Sequence, residues 1–117
     1  MIRITPEEVQ AAYKATGLKP VRNRYGNKTC GCPLVALTVE RNALYRHVNW
    51  SGFGSDAYIT MTLGIGKIYA EGFKDGVDGP MDGHHVGSEE YDAGYRDGKI
   101  VRKAIFNASK SMVQEDE

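Results

Sequence analysis

Three stretches of the chain hold residues whose types and spacing could do chemistry. Cys30 and Cys32 flank a single glycine and run into Pro33. A Cys-Gly-Cys pair could cycle as a strained disulfide, because glycine permits the tight ring and a helix N-terminus lowers a thiol's pKa. The same thiols could form half of a zinc site, with His47, His84 or His85 as the remaining ligands. Structural zinc sites usually leave two or more residues between paired ligands, so Cys-x-Cys with distant histidines is a poor match. The simplest alternative is two small, buried, reduced residues where a loop enters a helix.

The second stretch is the loop 78–89, where Asp78, Asp82, Gly83 and Glu89 fall at positions 1, 5, 6 and 12 of a calcium-loop register. Pro80 occupies position 3, which needs an oxygen ligand, and His85 takes the usual apolar position 8, so the match is partial. Asp82 with His84 and His85 could instead hold a transition metal, since imidazole plus carboxylate suits one. A Gly/Pro/Asp-rich connector between helices has the same composition with no ligand at all. The third stretch is the basic loop 19–28, where Lys19, Arg22, Arg24 and Lys28 interleave with Tyr25. Cations beside an aromatic ring can contact phosphates and stack a base. They serve equally as a solvated loop whose arginines reach an acidic partner surface.

Charge supplies such a surface within the chain. Residues 1–54 carry eight Lys/Arg against three Asp/Glu, and residues 55–117 carry seven against twelve, so the halves are +5 and −5 and the whole is neutral. Mutual attraction of the halves, within one chain or head to tail, accounts for this without a nucleic acid. A recognition helix after Leu63-Gly64-Ile65 would carry Glu71, Asp75 and Asp78 against Lys67 and Lys74, the wrong balance for lying among phosphates. No catalytic triad, phosphate loop or carboxylate pair emerges, which weighs against an enzyme, and no cofactor is implied. No apolar run approaches the roughly 18–20 residues of a membrane span, and residues 1–5 lack a signal-peptide core, so a cytoplasmic protein is expected.

The elements that must position these loops are helices. Thr5, Pro6 and Glu8 form a capping box with proline at the first helical position, opening a helix that Gly17 stops. Pro33 opens a second, to about Asn42. Residues 44–50 fit either a short strand or an extension of that helix. Ser55 or Asp56 can cap a third, and Ser88 another. Between them the chain says nearly the same thing twice. Tyr69, Gly72, Phe73, Asp75 and Gly76 return as Tyr91, Gly94, Tyr95, Asp97 and Gly98, with four identities and two conservative matches over eight positions. In each copy the aromatic and glycine residues share one helical face. Glycine inside a helix costs roughly 0.5–1 kcal/mol relative to alanine, so close helix approach is the expected compensation.

Cys32-Pro33-Leu34 opening a helix, Leu63-Gly64-Ile65 before a short one, and the Tyr-x-x-Gly-Phe-x-Asp-Gly-x-Asp-Gly pattern of Tyr69, Gly72, Phe73, Asp75, Gly76, Asp78 and Gly79 resemble a scatter of small uncharacterised bacterial and mobile-element proteins. The resemblance covers about residues 30–80 and implies a small helical domain without a known activity.

The expectation is therefore a mainly α-helical protein of about five helices. A single domain spans 1–110, an acidic tail 111–117, and the centre is an antiparallel hairpin in which Gly72/Gly76 and Gly94/Gly98 touch amid Tyr69, Phe73, Tyr91 and Tyr95. The leading functional reading is a non-catalytic interaction, regulatory or inhibitor protein that binds another protein or itself, a homodimer included. A metal- or thiol-dependent site at Cys30, Cys32 and the His84/His85 loop comes second, and nucleic-acid binding through Arg22, Arg24, Tyr25 and Lys28 third.

Overall fold

The computed structural model describes residues 2–50, 54–79 and 87–107. It is mainly helical, with five α-helices and one two-stranded parallel sheet. The acidic tail 111–117 lies outside the described residues. Helix α1 (Pro6–Thr16) starts with the reciprocal cap that its sequence encodes: the Thr5 hydroxyl accepts from the Glu8 amide at 3.3 Å, and the Glu8 carboxylate accepts from the Thr5 amide at 2.8 Å. It buries Val9, Ala12 and Tyr13 and stops at Gly17 with φ 70. Strand β1 (Lys19–Pro20) pairs in parallel with β2 (Cys30–Gly31). Helix α2 (Pro33–Arg41) is buried from Pro33 to Val39, so it is the central rod. Arginines close two helices: Arg46 donates to the Thr16 carbonyl at the end of α1, and Arg41 reaches the Leu63 carbonyl, 3.3 Å away, at the end of α3 (Ser55–Leu63).

Two local expectations are corrected. The strand alternative for residues 44–50 does not hold, because Ala43–His47 is a 3-10 turn capped by the Asn42 side chain, which accepts from the Leu44 amide at 3.1 Å. The strands lie instead at β1 and β2, where the alternation of the 44–50 segment gave no signal. Ser55 does not cap α3 either. Its hydroxyl donates to the Trp50 carbonyl at 2.9 Å, and Gly54 stands at the cap position.

Helices α4 (Lys67–Asp78) and α5 (Glu89–Arg102) carry the two copies of the repeat, and here the expected direction is wrong. The helices run parallel, not antiparallel. Gly72 faces Tyr91 and Tyr95, and Gly76, one turn on, faces Tyr95, Gly98 and Lys99. Both helices advance together, and at their starts Gly66 meets Glu90. A parallel return must travel back the length of α4, about 18 Å at 1.5 Å per residue. The ten residues between Asp78 and Glu89 suffice, since an extended chain covers about 3.3 Å per residue.

Parallel pairing of equal copies makes the contact reciprocal. A β-carbon on Gly72 would strike the Tyr91 carbonyl and one on Gly94 the Tyr69 carbonyl; likewise Gly76 meets the Tyr95 carbonyl and Gly98 the Phe73 carbonyl. Side chains repeat the exchange. The Tyr69 hydroxyl donates to Asp97 Oδ2 at 2.6 Å, and the Tyr91 hydroxyl donates to Asp75 Oδ2. Tyr69, Phe73 and Tyr91 are fully buried, while Tyr95 is half-buried with its ring stacked on Tyr91 at 6.4 Å.

Gly72→Ala would gain about 1 kcal/mol of helix propensity yet drive a methyl into partner backbone, where overpacking costs about 1–3 kcal/mol or more. Because the obstacle is a carbonyl that no rotamer change can move, the net effect is expected to be a loss of roughly 2 kcal/mol. Gly79→Ala is the control, since nothing lies within 4 Å and its φ of 174 is extended. Urea unfolding checks the pair: a lowered midpoint for the first and a change within about 0.5 kcal/mol for the second.

Candidate functional site

Both thiols come to rest buried and unpaired with each other. Cys30 is buried at β2, its Sγ 3.3 Å from Asn27 Oδ1 and 3.5 Å from Arg24 Nη2. Cys32 precedes α2, and burial pushes its thiol up to about 12 against the lowering by backbone hydrogen bonds from Val35 and Leu34. Both are free cysteines. A thiol held that high is a poor nucleophile at neutral pH. Among the described residues no group of three or more His, Cys, Asp or Glu side chains is placed to hold a metal ion. Asp82, His84 and His85 lie outside the described residues, and His47 is exposed on the 3-10 turn.

The basic loop is stitched to the body. The Tyr25 carbonyl accepts from the Cys32 amide at 2.7 Å, and Asn27 folds its side-chain carbonyl back onto the Thr29 and Cys30 amides at 2.8 and 3.2 Å. Tyr25 packs against Trp50 with ring centroids 6.2 Å apart, and Lys74 Nζ lies 5.6 Å from the Tyr25 centroid. Arg22 lies 5.7 Å over the Phe106 ring. The Lys28 carbonyl accepts from Arg46 at 3.5 Å, and Arg24 turns toward Cys30. Thus the ring and two of the cations that a nucleic acid would need are engaged within the fold.

Three further places were not singled out by sequence patterns. The N-terminal segment straps the repeat: Arg3 grips Asp97 through Nε at 2.9 Å and Nη2 at 2.7 Å, and the Ile4 amide donates to the Tyr69 hydroxyl at 2.8 Å. Burial by itself raises the Asp97 carboxyl, but hydrogen bonds from Arg3 and Tyr69, with the attraction of Arg3, outweigh it and hold the group below its ordinary value. A groove of about 180 Å³ lies between α3 and α4, with Leu34, Ile59 and Ala70 as an aliphatic floor and Asp56, Lys67 and Glu71 at its polar edge. Lys74 completes it, paired with Asp78 at 3.1 Å.

The third place is the outer face of α3. Ile59 and Leu63 are buried, whereas Tyr58 and Met61 are 43% and 82% exposed. Other apolar side chains lie around it. Tyr58 meets Tyr45 at 5.3 Å between centroids, next to Leu44, which is 76% exposed; at the far end Ile2, 58% exposed, comes within 3.7 Å of a β-carbon built on Gly64. The sequence places Tyr58 and Met61 on a helix without telling its inner side from its outer one. The available signal was the charge content of α3, since Ser55–Leu63 holds one charged residue, Asp56, and its apolar side chains are not confined to the buried side.

Two outcomes follow. Native protein is expected to react slowly with a thiol reagent at pH 8, where a group near pKa 12 is thiolate only to roughly one part in ten thousand; both thiols should appear on denaturation, and rapid native labelling of Cys32 would contradict its placement. Asp97, with its folded pKa lowered, contributes stability that is present above the usual carboxylate range and lost as pH falls through the folded value. Urea unfolding between about pH 2 and 6 should therefore show a shallower loss on acidification for Asp97→Asn than for the wild type, from a lower starting stability. The chain matches no family model, no curated protein and no solved structure.

Proposed function

We propose that this is a small non-catalytic protein–protein interaction module, with the outer face of α3 as its docking surface. One observation carries the reading: of the five exposed large hydrophobic side chains among the described residues, Ile2, Leu44, Tyr58 and Met61 lie on α3 or beside its ends, and Ile100 alone stands elsewhere. Single exposed apolar residues are ordinary, but several gathered on and around one helix are a recurrent mark of association. A helix that is apolar on both sides has one side for its own core and one to cover. The α4–α5 pair supplies the rigid support, and the separated charge fields steer approach.

The test replaces Met61, the most exposed of the group, with a photo-crosslinking amino acid in the producing cells. Irradiation is expected to give a discrete adduct with another polypeptide chain, and the same probe at exposed Ala11 on α1 should give none. Equal or absent crosslinking at both positions would contradict the reading.

A further inference from the structure

We infer that the occupant of this face is a second copy of the chain, with α3 packed on α3 in opposite directions about a twofold axis beside Met61; the inference rests on the reading of α3 as a docking surface. The outer face consists of Ala57, Tyr58, Met61 and Gly64, all exposed. An antiparallel overlay centred on Met61 brings the two Met61 side chains together at the axis and sets Gly64 of each copy opposite Tyr58 of the other, three residues to either side. Small residues admit the partner's larger ones, and the flexible thioether of methionine fills an irregular seam.

Charge selects the same arrangement. Asp56 is exposed at the N-terminal turn of α3, and no other charge lies on the helix. The C-terminal end is basic: Arg41 reaches the Thr62 and Leu63 carbonyls at 3.4 and 3.3 Å, and exposed Lys67 opens α4 three residues beyond Gly64. Asp56 and Lys67 both line the groove beside α3, so they lie on one flank of the helix at opposite ends. A twofold axis lying across two facing helices keeps flank with flank and exchanges their ends. It therefore brings Asp56 of each copy toward Lys67 of the other, twice, with the helix dipoles opposed. A parallel twofold would leave the two Asp56 at the same end on opposite flanks, with neither facing a lysine. A partner surface of a single charge sign would satisfy one end and repel the other. Overall neutrality removes long-range repulsion between copies. The face is small, since nine residues span about 13.5 Å, so the interface belongs to the class below about 1,200 Å² that associates weakly and reversibly.

Sedimentation velocity from about 5 to 500 μM, a range suited to weak interfaces, is the test. Wild type should pass from monomer toward dimer as concentration rises. Met61→Glu, which places two carboxylates at the axis, should weaken association at least about tenfold with unchanged helicity and urea midpoint. Asp56→Lys alone and Lys67→Glu alone should each weaken self-association. An equimolar mixture of those two variants should recover it, because the mixed dimer holds one ion pair of the wild-type sense and one with its charges exchanged. Failure of the mixture to recover, or dimers indifferent to Met61→Glu, would overturn the antiparallel α3 contact. A wild type that stays monomeric throughout, while the probe at position 61 still captures a different polypeptide, would overturn the second copy as occupant and leave the docking surface standing.

Discussion

The contact on which the rest of the molecule depends is the approach of α4 and α5 to backbone distance. Four glycines and four carbonyls meet in a reciprocal pattern, Gly72 and Gly76 against Tyr91 and Tyr95, Gly94 and Gly98 against Tyr69 and Phe73. At such distance the aromatic residues of each copy cannot sit between the helices and must flank them, and this placement lets each tyrosine hydroxyl reach the aspartate of the other copy. A buried hydroxyl without an acceptor is costly, and a carboxylate without a donor more so. Each copy of the motif therefore supplies what the other lacks. The doubled sequence is best understood as two halves of one lock, with an approximate twofold axis running between parallel helices.

The lock is not symmetric in its surroundings. Asp97 is held by both Tyr69 and the Arg3 strap and is buried, whereas its counterpart Asp75 is half-buried and takes the Tyr91 hydroxyl. The strap brings the N-terminus of α1 onto the pair, and α1 in turn packs on α2. The Tyr13 hydroxyl donates to the Gly31 carbonyl at 2.8 Å, tying the parallel strands and the two cysteines into the same body. Helix α3 is different in kind. It touches the body with Ile59, Leu63 and one edge of the Tyr58 ring, which meets Tyr45 and Trp50, and turns Ala57 and Met61 outward. Rigid support and an uncovered helix face are the two parts that a docking module requires.

Much of this organisation was legible in the residues, and the illegible parts have identifiable causes. Local chemistry reads well: the Thr5–Glu8 box, the stop at Gly17 and the Ser88 cap act over three or four residues, and the structure keeps them. The 3.6-residue period likewise identified the glycine face of each copy. A period specifies a face and is silent on direction, however. The clue to direction was the connector, whose ten residues exceed the 2–5 typical of an antiparallel helical hairpin. The partners of the basic loop are remote in sequence: Trp50 and Phe106 occupy the surroundings of Tyr25 and Arg22, and nothing local announces them. The Arg3–Asp97 pair spans 94 positions and has no sequence signature at all. The α3 face was visible as a run almost without charge, but apolar composition alone cannot distinguish a helix covered by its own chain from one left for another.

The central claim is that the two copies of the repeat form one cooperative unit rather than two helices that merely touch. Residue-resolved native-state hydrogen exchange on the wild type and on Tyr91→Phe tests it directly, because the substitution removes one hydroxyl from α5 and nothing from α4. If the copies lock reciprocally, the amides of α4 and α5 share the highest opening free energy in the molecule and lose the same amount, about 1.5–3 kcal/mol for a hydrogen bond to a carboxylate, in both helices. Protection that falls in α5 while α4 keeps its wild-type values would contradict the account.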